Sequence, residues 1–186
     1  MFSKGTIKIP QVTGNIEIIV VGVNATPTYT NMFDSESAEL NKRLSSSGGI
    51  SVYNGSFVTD YIDISTLSKD EDVYLYFKNA HPRETTGSYS CYLMYYDSSK
   101  TLIGKSQYGN VGTSTMSGWV ITEISSEEEY YKIKLNKGNI DSIETTLSYW
   151  NNASYIRIGL FINDTATAIT TDDVADVVIT LNEPIS

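Results

Sequence analysis

The sequence has little of the chemistry on which most enzymes and metal sites depend. It contains one cysteine and one histidine in 186 residues. A single cysteine, Cys91, excludes an intrachain disulfide, and so few thiols and imidazoles do not favour a zinc site. There is no G-x-S-x-G nucleophile motif, and any nucleophile–histidine pair would have to use His81, which precedes a proline. We therefore predict no catalytic residues and no enzymatic activity.

Basic residues are also scarce. Lysine and arginine number 13 against 22 aspartates and glutamates, which gives a formal net charge of −9. Proteins that bind nucleic acids usually carry a basic surface, because neutralised phosphates supply much of the affinity. The only local basic cluster in the sequence is Lys132, Lys134 and Lys137. We therefore expect no nucleic-acid partner.

Long apolar runs are absent as well. The most apolar early segment, residues 16–23, includes Glu17 and Gly22 and has the length of a strand, far short of a bilayer-spanning helix. The opening residues lack the apolar core and the cleavage site of a signal peptide. These features predict no insertion into a membrane.

What the sequence does contain is typical of β-strands. Its 14 tyrosines stand beside many threonines, serines, isoleucines and valines, and such residues suit a pleated, half-buried surface. Apolar residues recur at every second position in about ten segments, and the clearest are residues 73–79 and 155–163. This period predicts an all-β, jelly-roll-like β-sandwich with at most one or two short helical turns.

We divide the chain into two parts. Residues 1–25 are predicted to form an N-terminal β-hairpin, and residues 26–186 are predicted to form the jelly-roll β-sandwich domain. A hairpin without its own sheet exposes strand edges that can pair with another molecule. The hairpin therefore either anchors the protein to a partner or packs on its own domain, and the sequence leaves both alternatives open.

Several segments carry local signals other than alternation. Asn54-Gly55 is a strong turn signal between strands expected at 50–53 and 57–64. Within the polar stretch 31–49, one or two helical turns are the expectation. Residues 171–174 resemble a threonine cap followed by acids in a first helical turn, and residues 140–147 fit neither period clearly.

Acidic residues raise two further alternatives. Residues 70–73 and 171–176 supply the oxygen ligands that calcium prefers, but neither segment has the spacing of an EF-hand loop. No cofactor is therefore predicted, and structural calcium stays open as an alternative. Glycoside hydrolysis needs two carboxyl groups at a defined separation, and nothing in the sequence marks such a pair. A glycosidase is accordingly not favoured.

Aromatic side chains are the main candidates for binding. Sugars present flat apolar faces, so exposed tryptophan and tyrosine rings on a sandwich can form a glycan-binding platform. Tyrosines also pair across strands and pack with their hydroxyls in water, which is the structural alternative for each of them. The candidate ligand-binding residues are Trp119, Trp150, Tyr74, Tyr76, Tyr92 and Tyr96.

Two parts of the chain resemble known modules. "KGTIKIPQVTGNIEIIVVGV", residues 4–23, resembles the closing strands of immunoglobulin-like repeats in bacteriophage and prophage structural proteins. The second part comprises "NGSFVTDYIDI" at 54–64, "YYDSSKTLIGKS" at 95–106 and residues 154–185. It resembles jelly-roll modules that follow such repeats in phage tail, fibre and minor structural proteins, and in some surface proteins of gut bacteria.

This resemblance implies a non-enzymatic virion structural protein: a fibre, head-decoration or adsorption-apparatus subunit that serves attachment or adhesion. Its partners would be other virion proteins or host cell-surface glycans. Its location would be the virion, assembled in the bacterial cytoplasm. The resemblance also suggests a homo-oligomer with a trimer favoured, and closed symmetry is usual for oligomers. An extracellular bacterial carbohydrate-binding module is the alternative function.

Overall fold

Period-two alternation produces two packed antiparallel sheets in this protein. The computed structural model describes residues 30–45, 49–85, 88–111, 130–135, 143–163 and 165–182, with the backbone alone at 83–91, 107–111 and 143–147. The predicted N-terminal hairpin and Trp119 lie outside the described residues.

Ten strands, one α-helix and one short 3₁₀ helix are described. In chain order they are β1 (Glu39–Leu44), β2 (Ile50–Val58), β3 (Ile62–Asp63), β4 (Tyr74–Lys78), β5 (Arg83–Thr85), β6 (Ser88–Tyr96), β7 (Leu102–Val111), β8 (Tyr130–Lys134), α1 (Ile143–Asn152), β9 (Tyr155–Phe161), the 3₁₀ helix (Asp172–Val174) and β10 (Val178–Leu181).

The strands form a larger and a smaller sheet. In the larger sheet, β1, β2, β9, β6 and β7 are successive neighbours, while β3 also pairs with β9 and β5 with β6. The smaller sheet has the order β10-β4-β8. In both sheets an early strand lies beside a late one, as β2 does beside β9 and β4 beside β10. Such long returns are typical of Greek-key arrangements, from which jelly rolls are built.

The core lies between the inner faces of the two sheets, which confirms the predicted all-β sandwich. Every second residue of the principal strands points into it, because successive side chains of a strand alternate between faces. These inward residues include Phe57, Leu75, Phe77, Leu93, Tyr95, Ile133, Ile156, Ile158, Leu160 and Ile179.

Helix α1 is the longest departure from the strand pattern: it has ten residues, of which 143–147 belong to the segment 140–147 that fitted neither period clearly. It contacts β7 and β6, and the Tyr149 ring lies directly over Gly104 of β7. A Cβ atom at position 104 would be 2.2 Å from that ring, so only glycine lets the helix approach this closely. The next residue, Trp150, is fully buried in the core at 0% exposure.

The loop between β3 and β4 is fastened to the end of α1 by Lys69. The Lys69 ammonium donates to the carbonyl oxygens of Ala153 at 3.0 Å and Ile64 at 3.2 Å, and it lies 4.3 Å from the Trp150 ring centroid. The Trp150 indole in turn donates to the Lys69 carbonyl at 3.2 Å. A cation is favourable at a helix C-terminus, while burial lowers the pKa of Lys69. Lys69 therefore has a structural role, since it joins the β3–β4 loop to the C-terminal end of α1.

The expected helical turns before residue 45 were wrong, because this segment contains β1. Strand β1 pairs with β2, and its Asn41 adopts a φ of 54°. The Asn41 side chain donates to the Ile169 carbonyl at 2.9 Å and accepts from the Ile169 N–H at 2.8 Å. These partners are distant in the sequence, so no local pattern predicts them.

The predicted hairpin turn at Asn54-Gly55 was also wrong, because both residues lie inside β2. The register between β1 and β2 shifts between Leu40 and Lys42, which makes the opposing part of β2 a bulge. Gly55 adopts a φ of 81° there, and a Cβ atom would meet the backbone oxygen of Asn163 at 2.5 Å. Gly55 of this dipeptide has the positive φ that a hairpin turn would need, but here that conformation belongs to a bulge within β2.

Two other local features are a turn and a short helix, and the short helix confirms the prediction for residues 171–174. Residues 97–101 form a tight connection between β6 and β7, in which Lys100 N–H donates to Asp97 O at 3.0 Å. The predicted short helix is the 3₁₀ helix Asp172–Val174. Its cap differs in detail: the Asp173 carboxylate accepts from both the N–H and the hydroxyl of Thr170 at 2.8 Å.

Candidate functional site

The outer face of the smaller sheet carries tyrosines and lysines side by side. Because Leu75 and Phe77 enter the core, their neighbours on β4 point outward, and the same alternation applies to β8 around Ile133. We call this surface the lysine–tyrosine face; its members are Tyr74, Tyr76, Lys78, Tyr130, Lys132 and Lys134.

Strand register sets the geometry of the lysine–tyrosine face. Tyr74 lies opposite Lys134, Tyr76 opposite Lys132 and Lys78 opposite Tyr130. Each lysine therefore stands beside a ring across the β4–β8 pair. Directly opposed side chains lie within about 5 Å of each other. The centroid of the Tyr76 ring is 5.7 Å from that of Tyr130 and 6.4 Å from that of Tyr74.

Cations lie on the rings of this face. The Lys132 ammonium is 4.3 Å from the Tyr74 centroid and 5.5 Å from the Tyr76 centroid, both within cation–π range. The Lys134 ammonium is 5.7 Å from the Tyr74 ring and forms an ion pair with Asp72. Hydrogen bonding to Asp72 raises the pKa of Lys134. Tyr74, Tyr130, Lys132 and Lys134 are partly exposed, whereas Tyr76 is 6% exposed.

The outer face of the larger sheet is built differently and forms what we call the second core. Its buried members are Leu44, Val58, Met94 and Tyr96, with Tyr61, Tyr92 and Tyr155 packed against them. Tyr61 lies edge-on to Tyr96 at 4.9 Å and to Tyr155 at 5.9 Å. Tyr96 is thus covered by other side chains, while Tyr61, Tyr92 and Tyr155 are partly buried around it.

Arg157 is buried beside the second core. Its Nε donates to the Thr59 carbonyl at 2.7 Å, and its Nη2 lies 2.7 Å from the Glu39 carboxylate. Its guanidinium is also 5.1 Å from the Tyr61 ring. A buried charge needs such a full set of partners, since desolvation would otherwise be very costly. Arg157 is therefore committed to the fold.

Lys100 covers the edge of the second core. It has a φ of 60° at the end of the β6–β7 turn, and its ammonium lies 4.5 Å from the Tyr61 centroid and 5.4 Å from that of Tyr155. Lys100 and Arg157 thus place two cations within cation–π range of the Tyr61 ring.

The structure separates the six predicted ligand-binding residues. Tyr74 and Tyr76 belong to the lysine–tyrosine face, whereas Tyr92 and Tyr96 belong to the second core on the opposite side of the sandwich. Trp150 corrects the expectation of an exposed ring, since it is 0% exposed inside the core. Trp119 lies outside the described residues. The six residues thus do not form one platform.

Lys78 of the lysine–tyrosine face was missed as a binding candidate, and so were three residues of β8: Tyr130, Lys132 and Lys134. A signal was present in the sequence, because these three residues alternate with Tyr131, Ile133 and Leu135. The two lysines were weighed only as a basic cluster for nucleic acid, and their position beside tyrosines of another strand depends on the β4–β8 pairing.

The acidic segments considered for calcium have other contacts. Asp72 pairs with Lys134, and Asp173 accepts two hydrogen bonds from Thr170, which lower the pKa of Asp173. Among the residues that the structure describes, no group of three or more histidine, cysteine, aspartate or glutamate side chains is arranged to hold a metal ion. The His81 Nδ1 atom lies 2.8 Å from the Pro82 carbonyl oxygen.

Comparison of the chain with protein-family models, curated proteins and solved structures found no match. In the described part of the chain, no helix has the length and apolar character needed to cross a membrane.

Proposed function

We propose that this chain is a non-enzymatic structural protein of a bacteriophage virion, serving attachment or adhesion as a fibre, head-decoration or adsorption-apparatus subunit. The resemblance of residues 4–23 and of the sandwich segments to phage structural modules supports the class of protein. The observation that supports adhesion is the lysine–tyrosine face, where partly exposed Tyr74 and Tyr130 flank Tyr76 on a rigid sheet.

A sheet face of this kind is suited to gripping a surface without transforming it. Cross-strand pairing and the contacts with Lys132 hold the tyrosine rings in place before any partner arrives. These side chains have largely lost their conformational entropy on folding. A ligand therefore does not have to order them when it binds, which favours affinity. Tyrosine supplies a large apolar contact area together with a hydroxyl that hydrogen-bonds, and both suit host cell-surface glycans.

Assembly into the virion supplies a second requirement of this proposal. A single weak glycan contact becomes useful when several copies engage one surface, because linked sites raise the effective concentration. A homo-oligomer, with a trimer favoured, would present several lysine–tyrosine faces at once. Its other contacts would be with neighbouring virion proteins.

Adhesion is tested with host cells and purified protein. We expect the unchanged chain to adhere and the Tyr74→Ala/Tyr130→Ala variant to lose about tenfold or more in affinity, since two aromatic contacts are removed. The control is Leu102→Ala/Val52→Ala, which removes two exposed apolar side chains, 42% and 72% accessible, from the larger sheet. Equal loss in both variants, with each folded by circular dichroism, would refute adhesion through this face.

The alternative function is an extracellular bacterial carbohydrate-binding module, and the same tyrosine rings favour it. The two proposals separate by location. Mass spectrometry of purified phage particles should find the chain in stoichiometric amounts if it is a virion protein. Its presence in the cell-free medium and absence from particles would instead support the bacterial module.

A further inference from the structure

The lysine–tyrosine face concentrates positive charge in a chain that is acidic elsewhere. Lys78, Lys132 and Lys134 project from the same side of β4 and β8, whereas the chain as a whole carries −9. Three lysines on one sheet face are informative, because a carboxylate that reaches this face meets cations although the chain as a whole repels anions.

Two of these lysines are not used in ion pairs among the described residues. Lys134 pairs with Asp72, but within the described ranges no carboxylate lies in ion-pair distance of Lys132 or Lys78. The described contacts of the Lys132 ammonium are with the Tyr74 and Tyr76 rings. A ring face accepts no conventional hydrogen bond, and within the described ranges no oxygen is recorded as an acceptor for the Lys132 ammonium, so N–H donors on it can serve a ligand.

The spacing of the groups indicates what such a ligand must contain. Lys132 and Lys78 are diagonal neighbours across the β4–β8 pair, roughly 7 Å apart; Lys132 contacts the Tyr74 ring, and Lys78 lies opposite Tyr130. A ligand for this face therefore needs an apolar surface for the tyrosine rings and an anion for the lysines. A pyranose ring that carries a carboxylate has both, because its C–H face packs on tyrosine and its carboxylate accepts hydrogen bonds from lysine. Charge-assisted hydrogen bonds of this kind are short and strong.

Net charge limits how densely charged the ligand can be. Single-stranded nucleic acid also combines stacking with anionic groups, but it carries a phosphate at every nucleotide, and three lysines face that polyanion on a chain of −9. A heteropolysaccharide with one uronate in each repeat unit presents the same local chemistry with fewer charges to be repelled.

Resting on the adhesion function proposed above, we propose that the lysine–tyrosine face binds an acidic polysaccharide, with uronate carboxylates on Lys132 and Lys78 and pyranose faces on Tyr74 and Tyr130.

Titration calorimetry of the full chain against hyaluronan, which has one uronate per disaccharide, tests this proposal. We expect binding to hyaluronan and at least about tenfold weaker binding to its methyl ester, since each charge-assisted hydrogen bond lost is worth about one decade of affinity. Lys132→Gln should weaken hyaluronan binding about tenfold, and Lys132→Glu more. Lys105→Glu, an exposed charge reversal on the larger sheet, should change affinity less than twofold.

The opposing results are distinct. Equal affinity for hyaluronan and its ester, or preference for polyuridylate, would overturn the acidic-polysaccharide proposal. No binding to hyaluronan would overturn it too, and in each of these cases adhesion to host cells still decides the broader function independently. Equal loss for Lys132→Gln and Lys105→Glu would remove the lysine–tyrosine face from the interaction.

Discussion

The two outer faces of this sandwich have the same sequence pattern but different structures. On both, tyrosines and cations occupy the positions between core residues of a strand, as Tyr74 and Tyr76 do in β4 and Tyr92 and Tyr96 do in β6. On the smaller sheet the tyrosine rings carry lysines, and the buried Tyr76 lies between the partly exposed Tyr74 and Tyr130. On the larger sheet they form a second core around the buried Met94. The alternation of apolar residues determines which side chains lie on an outer face, but a different feature determines whether that face is buried.

That feature is the end of β1. Strand β1 is two strands away from β9 in the sheet, a distance of about 10 Å in a flat arrangement. Leu44 nevertheless lies within 3.3 Å of the Cβ position of Gly159 in β9. The end of β1 therefore folds over the outer face, and Gly159 has no side chain to prevent it. The outer face of the larger sheet is thus buried by the end of β1, a segment that is distant from β9 in the sequence.

The largest test of this comparison removes Met94. Met94 is 1% exposed although it lies on an outer face, so Met94→Ala should lower the free energy of unfolding by about 3 kcal/mol. Tyr74→Ala, on the other outer face, should lower it by about 1 kcal/mol or less. Urea denaturation of both variants measures the difference. Similar losses would show that the two faces are equally structural.

A second test compares the two ion pairs. The Arg157 side chain is 6% exposed and its Glu39 partner 43%, so Glu39→Ala leaves a buried charge without its carboxylate and should cost about 2 kcal/mol. The Lys134 and Asp72 side chains are 29% and 36% exposed, and Asp72→Ala should cost about 0.5 kcal/mol or less.

Double-mutant cycles provide the control for this second test. Combining Glu39→Ala with Arg157→Met removes both charges, and it should restore part of the stability that Glu39→Ala loses. Equal coupling energies for the Arg157 and Lys134 pairs would contradict the assignment of one pair to the fold and the other to the surface.

Strands with strict alternation were predictable from the sequence because their pattern is local. The faces of β4, with Leu75 and Phe77 inward, and of β9, with Ile156 and Ile158 inward, are those expected. Strand β1 was not predictable, since the reciprocal hydrogen bonds of Asn41 and Ile169 join residues far apart in the chain.

The candidate site was predictable only in part, for the same reason. Alternation places Tyr74 and Tyr76 on an outer face, but the pairing of β4 with β8 brings Lys132 and Lys134 to them. Trp150 was placed near a loop by its sequence neighbours, and the closeness of Tyr149 to Gly104 buries that part of α1. The exposure of a side chain thus depends on which elements pack against it, and its neighbours in the sequence do not show this.

The smallest effect concerns the titration of Tyr96 in the second core. Burial raises the pKa of this phenol above its ordinary value of 10.0, although the nearby Arg157 opposes the shift. A group whose pKa is raised by folding contributes stability that is complete below its unfolded pKa and is lost as the pH rises through its folded pKa. The second core should therefore weaken above about pH 10.

Tyr96→Phe separates this titration from all others in the chain. Phenylalanine keeps the ring and cannot ionise, while the 3.5 Å contact of the hydroxyl with the Met94 sulfur is lost. We expect the variant to lose less free energy of unfolding than the unchanged protein between about pH 9 and pH 11, a difference below about 1 kcal/mol. Urea unfolding at the two pH values measures it, and tyrosinate absorbance should show one fewer late-titrating phenol. Parallel losses in both proteins would mean that Tyr96 is not protected by the second core, and the contrast between the two outer faces would then rest on Met94 and Arg157 alone.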